Sequence, residues 1–164
     1  MKWEDHDRWA KKMDIRQHVS SEVNNLIDKV TDSGLLAEFR ENKEQLVDEI
    51  LTGKDLAIAK GSMKHVVLEQ IDDHDDSRTL RSDSKIYSDT YLHFFEQKGE
   101  DYVLAYHLHH YLDYFDEQKT SDKTIDELLS EFSKKYPHLS HSMVEEMFQS
   151  NRKQLSSEMG IRSG

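Results

Sequence analysis

Residues 101–116 read DYVLAYHLHHYLDYFD, which is the pattern of an amphipathic helix. Large apolar side chains recur at intervals of three or four residues, the period of an α-helix. We expect one stripe of this helix to face a core, and it carries Leu104, Leu108, Tyr111 and Phe115. The same period recurs along most of the chain, and strand-like alternation is absent over useful lengths. The sequence therefore predicts an all-α protein.

Glycines and polar runs divide this pattern into about seven helices with short connections. Gly34 is expected to end the second helix, and the polar run 40–45 leaves open whether the third helix breaks. The run 72–84 is almost wholly polar and is the best loop candidate. We expect a single-domain bundle over residues 1–159, followed by a frayed tail at 160–164.

Capping residues predict where the C-terminal helices begin. Thr120-Ser121-Asp122 is expected to cap a helix that runs from Lys123 to Lys135, where Tyr136-Pro137 ends it. Ser140 is expected to cap one last helix that continues to about Met159.

The composition excludes several classes of protein. The 164 residues contain 22 basic and 33 acidic side chains, which gives a net charge of −11 and argues against a general nucleic-acid binder. The absence of cysteine excludes disulfides, thiolate catalysis, cysteine zinc fingers and iron–sulfur clusters. One proline and six glycines argue against a turn-rich β-fold. Any transition-metal site must therefore use histidine and carboxylate ligands, and the chain has ten histidines.

No stretch approaches the ~20 consecutive apolar residues of a membrane helix, so we expect no membrane span. The first residues, MKWEDHDR, are charged and lack the apolar region of a signal peptide. Together with the absence of cysteine, this predicts a cytoplasmic protein.

Histidine–carboxylate pairs at helical spacing are the candidate metal ligands. His109 and Asp113 are four residues apart, so both side chains project from one face of the helix and can share one divalent ion. His141 and Glu145 repeat this spacing, as do His65 and Glu69. Each pair also has a simpler interpretation as two side chains hydrogen-bonded on a helix surface.

Two further histidines have unusual neighbours. His74 lies among four aspartates at 72–76, a like-charge cluster that either a cation or solvent must relieve. His6 lies between Trp3 and Trp9, which we expect to anchor an N-terminal helix in the core.

The order of these residues resembles the zinc-dependent phospholipase C and S1/P1 nuclease superfamily. Those all-α proteins hold zinc with ligands from the N-terminus, from a mid-chain aspartate and histidine, from an HxxxD helix and from a later HxxxE helix. The resemblance implies a metal-dependent phosphoesterase. It implies these metal ligands: His6, Asp73 (or Asp72), His74, His109, Asp113, His141 and Glu145.

A second resemblance is to the HD-type phosphohydrolases, which are also all-α. His74-Asp75 supplies the HD dipeptide, and Asp113 would be the last ligand.

Two classes of function follow from these observations. In the first, a divalent ion, most simply zinc, is held by His109, Asp113, His74 and Asp73, and activates water for phosphoester hydrolysis. In the second, the chain is a non-catalytic acidic helical protein that binds a basic partner protein or self-associates. The last helix would then offer Met143, Met147 and Phe148 as a contact face.

Overall fold

The computed structural model describes residues 3–28, 34–50 and 85–163, and within them it contains helices and no strand, which confirms the all-α class. The helices are α1 (Trp3–Lys12), α2 (Gln17–Ile27), α3 (Gly34–Ile50), α4 (Lys85–Lys98), α5 (Glu100–Gln118), α6 (Ile125–Lys135), α7 (Ser142–Ser150) and α8 (Arg152–Met159).

Helix α5 lies at the centre of the bundle and packs against α1, α2, α4, α6 and α7. Every residue from Leu104 to Phe115 is buried, with the single exception of Asp113. A helix that is apolar and aromatic around its whole circumference has to be enclosed by other helices, because exposing such a surface to water is unfavourable. The stripe expected at Leu104, Leu108, Tyr111 and Phe115 is confirmed as core.

One hydrophobic core joins the described helices. Its largest fully buried side chains are aromatic, and Tyr111 stacks on Phe132 of α6 with ring centroids 4.1 Å apart. Trp9 of α1 is fully buried, as expected, and its indole N–H donates to Glu158 of α8 at 2.8 Å. This bond ties the first described helix to the last.

The faces of α1 and α2 that pack against α5 contain both apolar and polar side chains. Helix α1 buries His6, Trp9 and Ala10, which lie on one face at the spacing i, i+3 and i+4. Glu4 and Asp5 in its first turn and Lys11 and Lys12 in its last turn complement the helix dipole. Helix α2 buries an apolar stripe that also includes two polar side chains, Ser20 and Asn24.

The polar run 40–45 does not interrupt α3, which is continuous to Ile50. Phe39, Leu46 and Val47 anchor it on both sides of that run, and Phe39 stacks on Tyr91 of α4 at 4.3 Å. A polar run in a helix anchored at both ends simply forms its solvent-facing surface.

The predicted starts of the C-terminal helices need correction. The side chain of Thr124 caps α6 by accepting a hydrogen bond from the Glu127 amide, so this helix begins at Ile125 and not at Lys123. His141, and not Ser140, caps α7 by accepting the amide of Met143 on its Nδ1.

The predicted last helix is divided into two helices, α7 and α8. Asn151 leaves the helical conformation, and its side-chain amide donates to the carbonyl of Met147, so that α8 begins anew at Arg152. A side chain that bonds the preceding turn in this way competes with helix propagation.

Residues 160–163 pack against the bundle, whereas the sequence predicted a frayed tail. Gly160 ends α8 with φ +66°, a left-handed conformation that reverses the chain. Ile161 is then buried, and the Arg162 carbonyl accepts the Ile125 amide at 2.9 Å. A C-terminal segment ends in this ordered way when an apolar side chain ties it down.

None of the helices that the structure describes combines the length and the apolar composition that a bilayer crossing requires. The predicted loop 72–84 and the helix expected before it lie outside the described residues.

Candidate metal centre

His6 brings a buried imidazole from α1 to the surface of α5. The side chain is 3% exposed, and its ring stacks on that of His109 with centroids 4.6 Å apart and planes 7° apart. Among the described residues, His6 Nδ1 has no hydrogen-bond partner, and Nε2 faces the carboxylate of Asp113. A buried polar atom without a partner costs about 1–3 kcal/mol, so a bound ion that this imidazole coordinated would offset that cost.

His109 and Asp113 meet on one face of α5, as their spacing predicted. His109 Nε2 lies 3.0 Å from Asp113 Oδ2, and His109 is 1% exposed. Its other ring nitrogen, Nδ1, donates to the side-chain oxygen of Asn24 at 2.7 Å. When Nδ1 carries the proton of a neutral imidazole, Nε2 has the lone pair that a metal needs.

The three side chains form one compact set of ligand atoms. Ligand atoms of His6, His109 and Asp113 all lie within 4.8 Å of one another, and they form the only such group among the described residues. His6 Nε2 is 3.4 Å from Asp113 Oδ1. Two ligands of a tetrahedral zinc ion, each about 2.1 Å from the metal, are about 3.4 Å apart. The separations between Asp113 and the two imidazoles, 3.0 Å to His109 and 3.4 Å to His6, are close to that value. Because the two rings are stacked nearly parallel, one of them has to turn before both can bind the same ion.

The electrostatics of the set also favour a cation. Burial alone would raise the pKa of Asp113, but the charge and hydrogen bonding of His109, together with His6, lower that pKa overall. Burial alone would lower the pKa of His109, and the charges of Asp113 and Asp28 raise it overall. The carboxylate is thus ionised at neutral pH, and its field stabilises positive charge between the side chains.

The centre opens to solvent on its acidic side. Asp113 is 30% exposed and Asp28, at the end of α2, is 31% exposed, while both imidazoles are buried. Asp28 Oδ1 lies 3.7 Å from His109 Nε2. Three protein ligands with an accessible fourth position are typical of catalytic zinc sites, whereas structural zinc sites are closed by four.

The pair His141 and Glu145 has other partners in the structure. His141 Nδ1 caps α7, and its ring lies 4.9 Å from that of His107. Glu145 Oε1 accepts the hydroxyl groups of Tyr111 at 2.9 Å and Ser133 at 2.6 Å. Neither residue belongs to the set formed by His6, His109 and Asp113.

His74, Asp73 and the neighbouring aspartates 72, 75 and 76 lie outside the described residues, as do His65 and Glu69. The structure therefore brings together one part of the predicted ligand set: His6, His109 and Asp113.

The other two histidines of α5 are neutral core residues. His107 is buried and donates from Nδ1 to the carbonyl of Leu139 at 2.6 Å, and burial lowers its pKa to about 4. Burial also lowers the pKa of His110 well below its usual value. At neutral pH the imidazoles of His107 and His110 are therefore uncharged. The charged groups of the candidate centre all lie on the face of α5 that carries Asp113.

Two residues of the site were missed by the sequence analysis, and both come from α2. Asn24 bonds His109, and Asp28 lies beside it. The signal was available for Asn24: Ser20 and Asn24 interrupt an apolar face at a spacing of four residues. A polar pair of this kind on a core-facing stripe needs a polar partner on the neighbouring helix.

Comparison of this chain with family models, with curated proteins and with solved structures finds no match.

Proposed function

We propose that this protein is a metal-dependent hydrolase of phosphoesters that binds one divalent transition-metal ion, zinc in the first instance, through His6, His109 and Asp113. The observation that carries the proposal is the convergence of their ligand atoms within 4.8 Å, two of the side chains being buried imidazoles. Imidazole nitrogen with carboxylate oxygen is a donor set that zinc accepts readily.

The charges around the centre support a divalent ion. The carboxylate of Asp113 is ionised, and the carboxylate of Asp28 lies 3.7 Å from His109 Nε2, so both acidic groups favour a cation beside the two imidazoles. A divalent ion held there would lower the pKa of a bound water and polarise a phosphoryl oxygen. Hydrolysis replaces the phosphorus–oxygen bond to the leaving group with a bond to the water oxygen. One proton of the water would pass to a base, and the leaving oxygen would take a proton from solvent.

We assign the base to Asp28. It is outside the compact ligand set, its carboxylate lies 3.7 Å from His109 Nε2, and it is partly open to solvent. A carboxylate beside the three candidate ligands would be the group to accept a proton from a water held by the ion. A phosphodiester is the first substrate class to test, because the order of the ligands along the chain resembles that of zinc-dependent phosphoesterases.

The test is metal analysis of protein purified without an affinity tag, followed by hydrolysis of bis(p-nitrophenyl) phosphate. We expect about one zinc per chain, lost in both His109→Ala and Asp113→Ala. The control His18→Ala removes an exposed histidine of α2 and should keep the metal. Asp28→Asn should keep the metal and lose roughly 10²–10⁴-fold in rate, the usual contribution of a general base. Absence of metal in the wild type, with no effect of added zinc on its thermal melting, contradicts the proposal.

A second candidate function is binding of a basic partner protein, and one groove favours it. A cavity of about 710 Å³ between α6 and α7 is lined by Asp126, Glu145 and Glu146 together with several serines. Met143 on α7 is 46% exposed, whereas Met147 and Phe148, the rest of the predicted contact face, are buried in the core. An acidic groove is complementary to lysine- and arginine-rich surfaces.

This second function is separable from the first. A fluorescent lysine-rich peptide should bind in a salt-sensitive manner, and the double variant Glu145→Gln, Glu146→Gln should weaken it, with chelators having no effect. Sedimentation of the protein alone tests self-association instead. A cytoplasmic location belongs to both proposals, and fractionation of the source cells tests it.

A further inference from the structure

A line of polar side chains crosses from the partly exposed Asp7 of α1 through two buried residues of α2 to the candidate metal centre. Asp7 Oδ1 accepts the hydroxyl of Ser20 at 2.7 Å. Asn24 Nδ2 points to Ser20 Oγ at 3.4 Å, and Asn24 Oδ1 accepts the Nδ1–H of His109 at 2.7 Å. Ser20 and Asn24 are 3% and 2% exposed, so water does not substitute for these bonds.

The line fixes which way the Asn24 amide faces. An asparagine side chain can present either oxygen or nitrogen, and the hydroxyl of Ser20 is committed as a donor to Asp7. Ser20 Oγ is therefore left as an acceptor, so the NH₂ of Asn24 faces it and the amide oxygen faces His109. An oxygen at that place accepts a hydrogen bond from Nδ1–H and cannot donate one.

The apolar setting explains why this orientation is strongly imposed. Val19, Val23 and Leu26 on the same helix are fully buried. Burying an amide and a hydroxyl among such side chains is unfavourable unless each is bonded. Leucine or valine at positions 20 and 24 would pack α2 against α5 with no such requirement, so packing alone does not account for the polar pair.

We propose that Asn24, held by Ser20 and Asp7, is a positioning residue that keeps the Nδ1 proton of His109 in place and so presents Nε2 to the metal ion. This inference rests on the proposed metal site and names what orients it. Asp7 follows His6 directly in α1, so the line also couples the helices that carry the two imidazoles. Partners of this kind typically change metal affinity by 10–100-fold.

The first experiment is independent of any metal. Nitrogen-15 NMR of the histidine-labelled Asp113→Ala protein, which lacks the carboxylate that lies 3.0 Å from Nε2, reports which ring nitrogen of neutral His109 carries the proton. We expect a protonated Nδ1 and a bare Nε2 in this variant, and a mixture of the two forms when Asn24→Ala is added to it. A proton on Nε2 of His109 in the Asp113→Ala protein overturns the inference, whether or not the wild type binds zinc.

The second experiment measures zinc affinity by competition with a chromophoric chelator. Asn24→Ala should bind 10–100-fold more weakly, and Asn24→Asp, which keeps an oxygen acceptor, should restore the affinity. The control Asn25→Ala removes the neighbouring amide, whose oxygen has no hydrogen-bond partner among the described residues, and should bind as the wild type does. If Asn24→Ala does not fold, the zinc affinities of Asn24→Asp and Ser20→Ala are compared with that of the wild type instead.

The outcomes separate the two claims. No zinc binding by the wild type ends the proposed function, while the NMR measurement still decides the role of Asn24. Zinc binding that is equally tight in the wild type, Asn24→Ala and Ser20→Ala ends the positioning role and leaves the proposed function intact. A purely structural role predicts that these variants melt at lower temperature with unchanged affinity for zinc.

Discussion

Asp113 shows at the scale of one residue how the core and the centre share helix α5. It is the one residue between Leu104 and Phe115 that is not buried, and both imidazoles of the centre lie beside it. A carboxylate in this position is stabilised by its histidine neighbours and remains in reach of water. One side chain thus converts a core helix into the wall of an accessible polar site.

Tyr111 carries a prediction at the same scale. Its buried hydroxyl donates to Glu145 at 2.9 Å and accepts the His141 amide at 3.1 Å. Tyr111→Phe keeps the ring packing and leaves both partners short of a bond, which should reduce the free energy of unfolding by about 1–3 kcal/mol. Urea denaturation measures this loss.

The matched control is Tyr114→Phe, whose hydroxyl lies 3.3 Å from the partly exposed Glu131. Water can replace that bond, so we expect a loss of about 0.5 kcal/mol or less. If the two variants lose equal free energies of unfolding, the hydrogen bonds of Tyr111 contribute no more to stability than the partly exposed bond of Tyr114.

At the scale of elements, the ends of the helices carry information that the helical period does not. Gly160 at the end of α8 has φ +66°, while Gly34 at the start of α3 does not have a left-handed backbone, and a Cβ would meet nothing within 4 Å at either position. Gly160→Ala should therefore cost about 1–2 kcal/mol from backbone strain alone. Gly34→Ala should be neutral or stabilising by up to about 1 kcal/mol. Chemical denaturation of both variants checks the difference, and equal effects would contradict it.

The contact between α6 and α8 predicts a pH dependence. Hydrogen bonds from Arg152, and then from Gln149, lower the pKa of Asp126 to about 2. Because this pKa is lower in the folded than in the unfolded protein, the contact stabilises the fold above about pH 4 and ceases to do so as pH falls through about 2.

The variant Arg152→Ala removes the main cause of that shift. The pKa of Asp126, followed by carboxyl NMR, should rise toward the ordinary value of 3.8. Arg8→Ala is the control, because Arg8 pairs with Asp5 and Glu158 and leaves Asp126 untouched. A pKa of Asp126 that stays near 2 in Arg152→Ala would rule out this pairing as the cause.

The sequence predicted the helices well where apolar residues recur at a regular helical spacing. It predicted the ends of the helices poorly. The stripe of α5 follows from side-chain period alone, so it was correct. The break at Asn151 and the cap at His141 depend on which side chain forms a hydrogen bond with the backbone at the end of a helix. Several neighbouring residues have side chains that can form the same bond, so the sequence does not distinguish between them. The burial of Ile161 depends on a partner surface that only the folded bundle supplies.

At the scale of the whole molecule, the candidate site joins the first helix, α1, to the central helix, α5. His109 and Asp113 were predictable as a pair, because one helix fixes their spacing. His6 was named only from the order of residues along the chain, and its stacking on His109 is a result of packing between α1 and α5. Asn24 was not named, because the polar pair on the apolar face of α2 indicates a polar partner without identifying which residue it is.

This long-range geometry predicts a strong effect of zinc on stability. The ligands come from α1 and α5, so the unfolded chain lacks the assembled set, and zinc should bind the folded state preferentially. At a zinc concentration 100 times the dissociation constant, the free energy of unfolding should rise by about 2.7 kcal/mol. Magnesium, which prefers oxygen ligands, should have little effect, and His6→Ala should abolish the effect of zinc. A similar rise with zinc in His6→Ala would place the binding elsewhere.

The most direct measurement of the central claim is anomalous diffraction at the zinc edge from crystals grown with one equivalent of zinc. We expect one peak per chain, about 2.0–2.2 Å from a ring nitrogen of His6, Nε2 of His109 and a carboxylate oxygen of Asp113. The Asp113→Ala protein should lack that peak. A wild-type crystal with no peak between these three side chains at saturating zinc would contradict the claim.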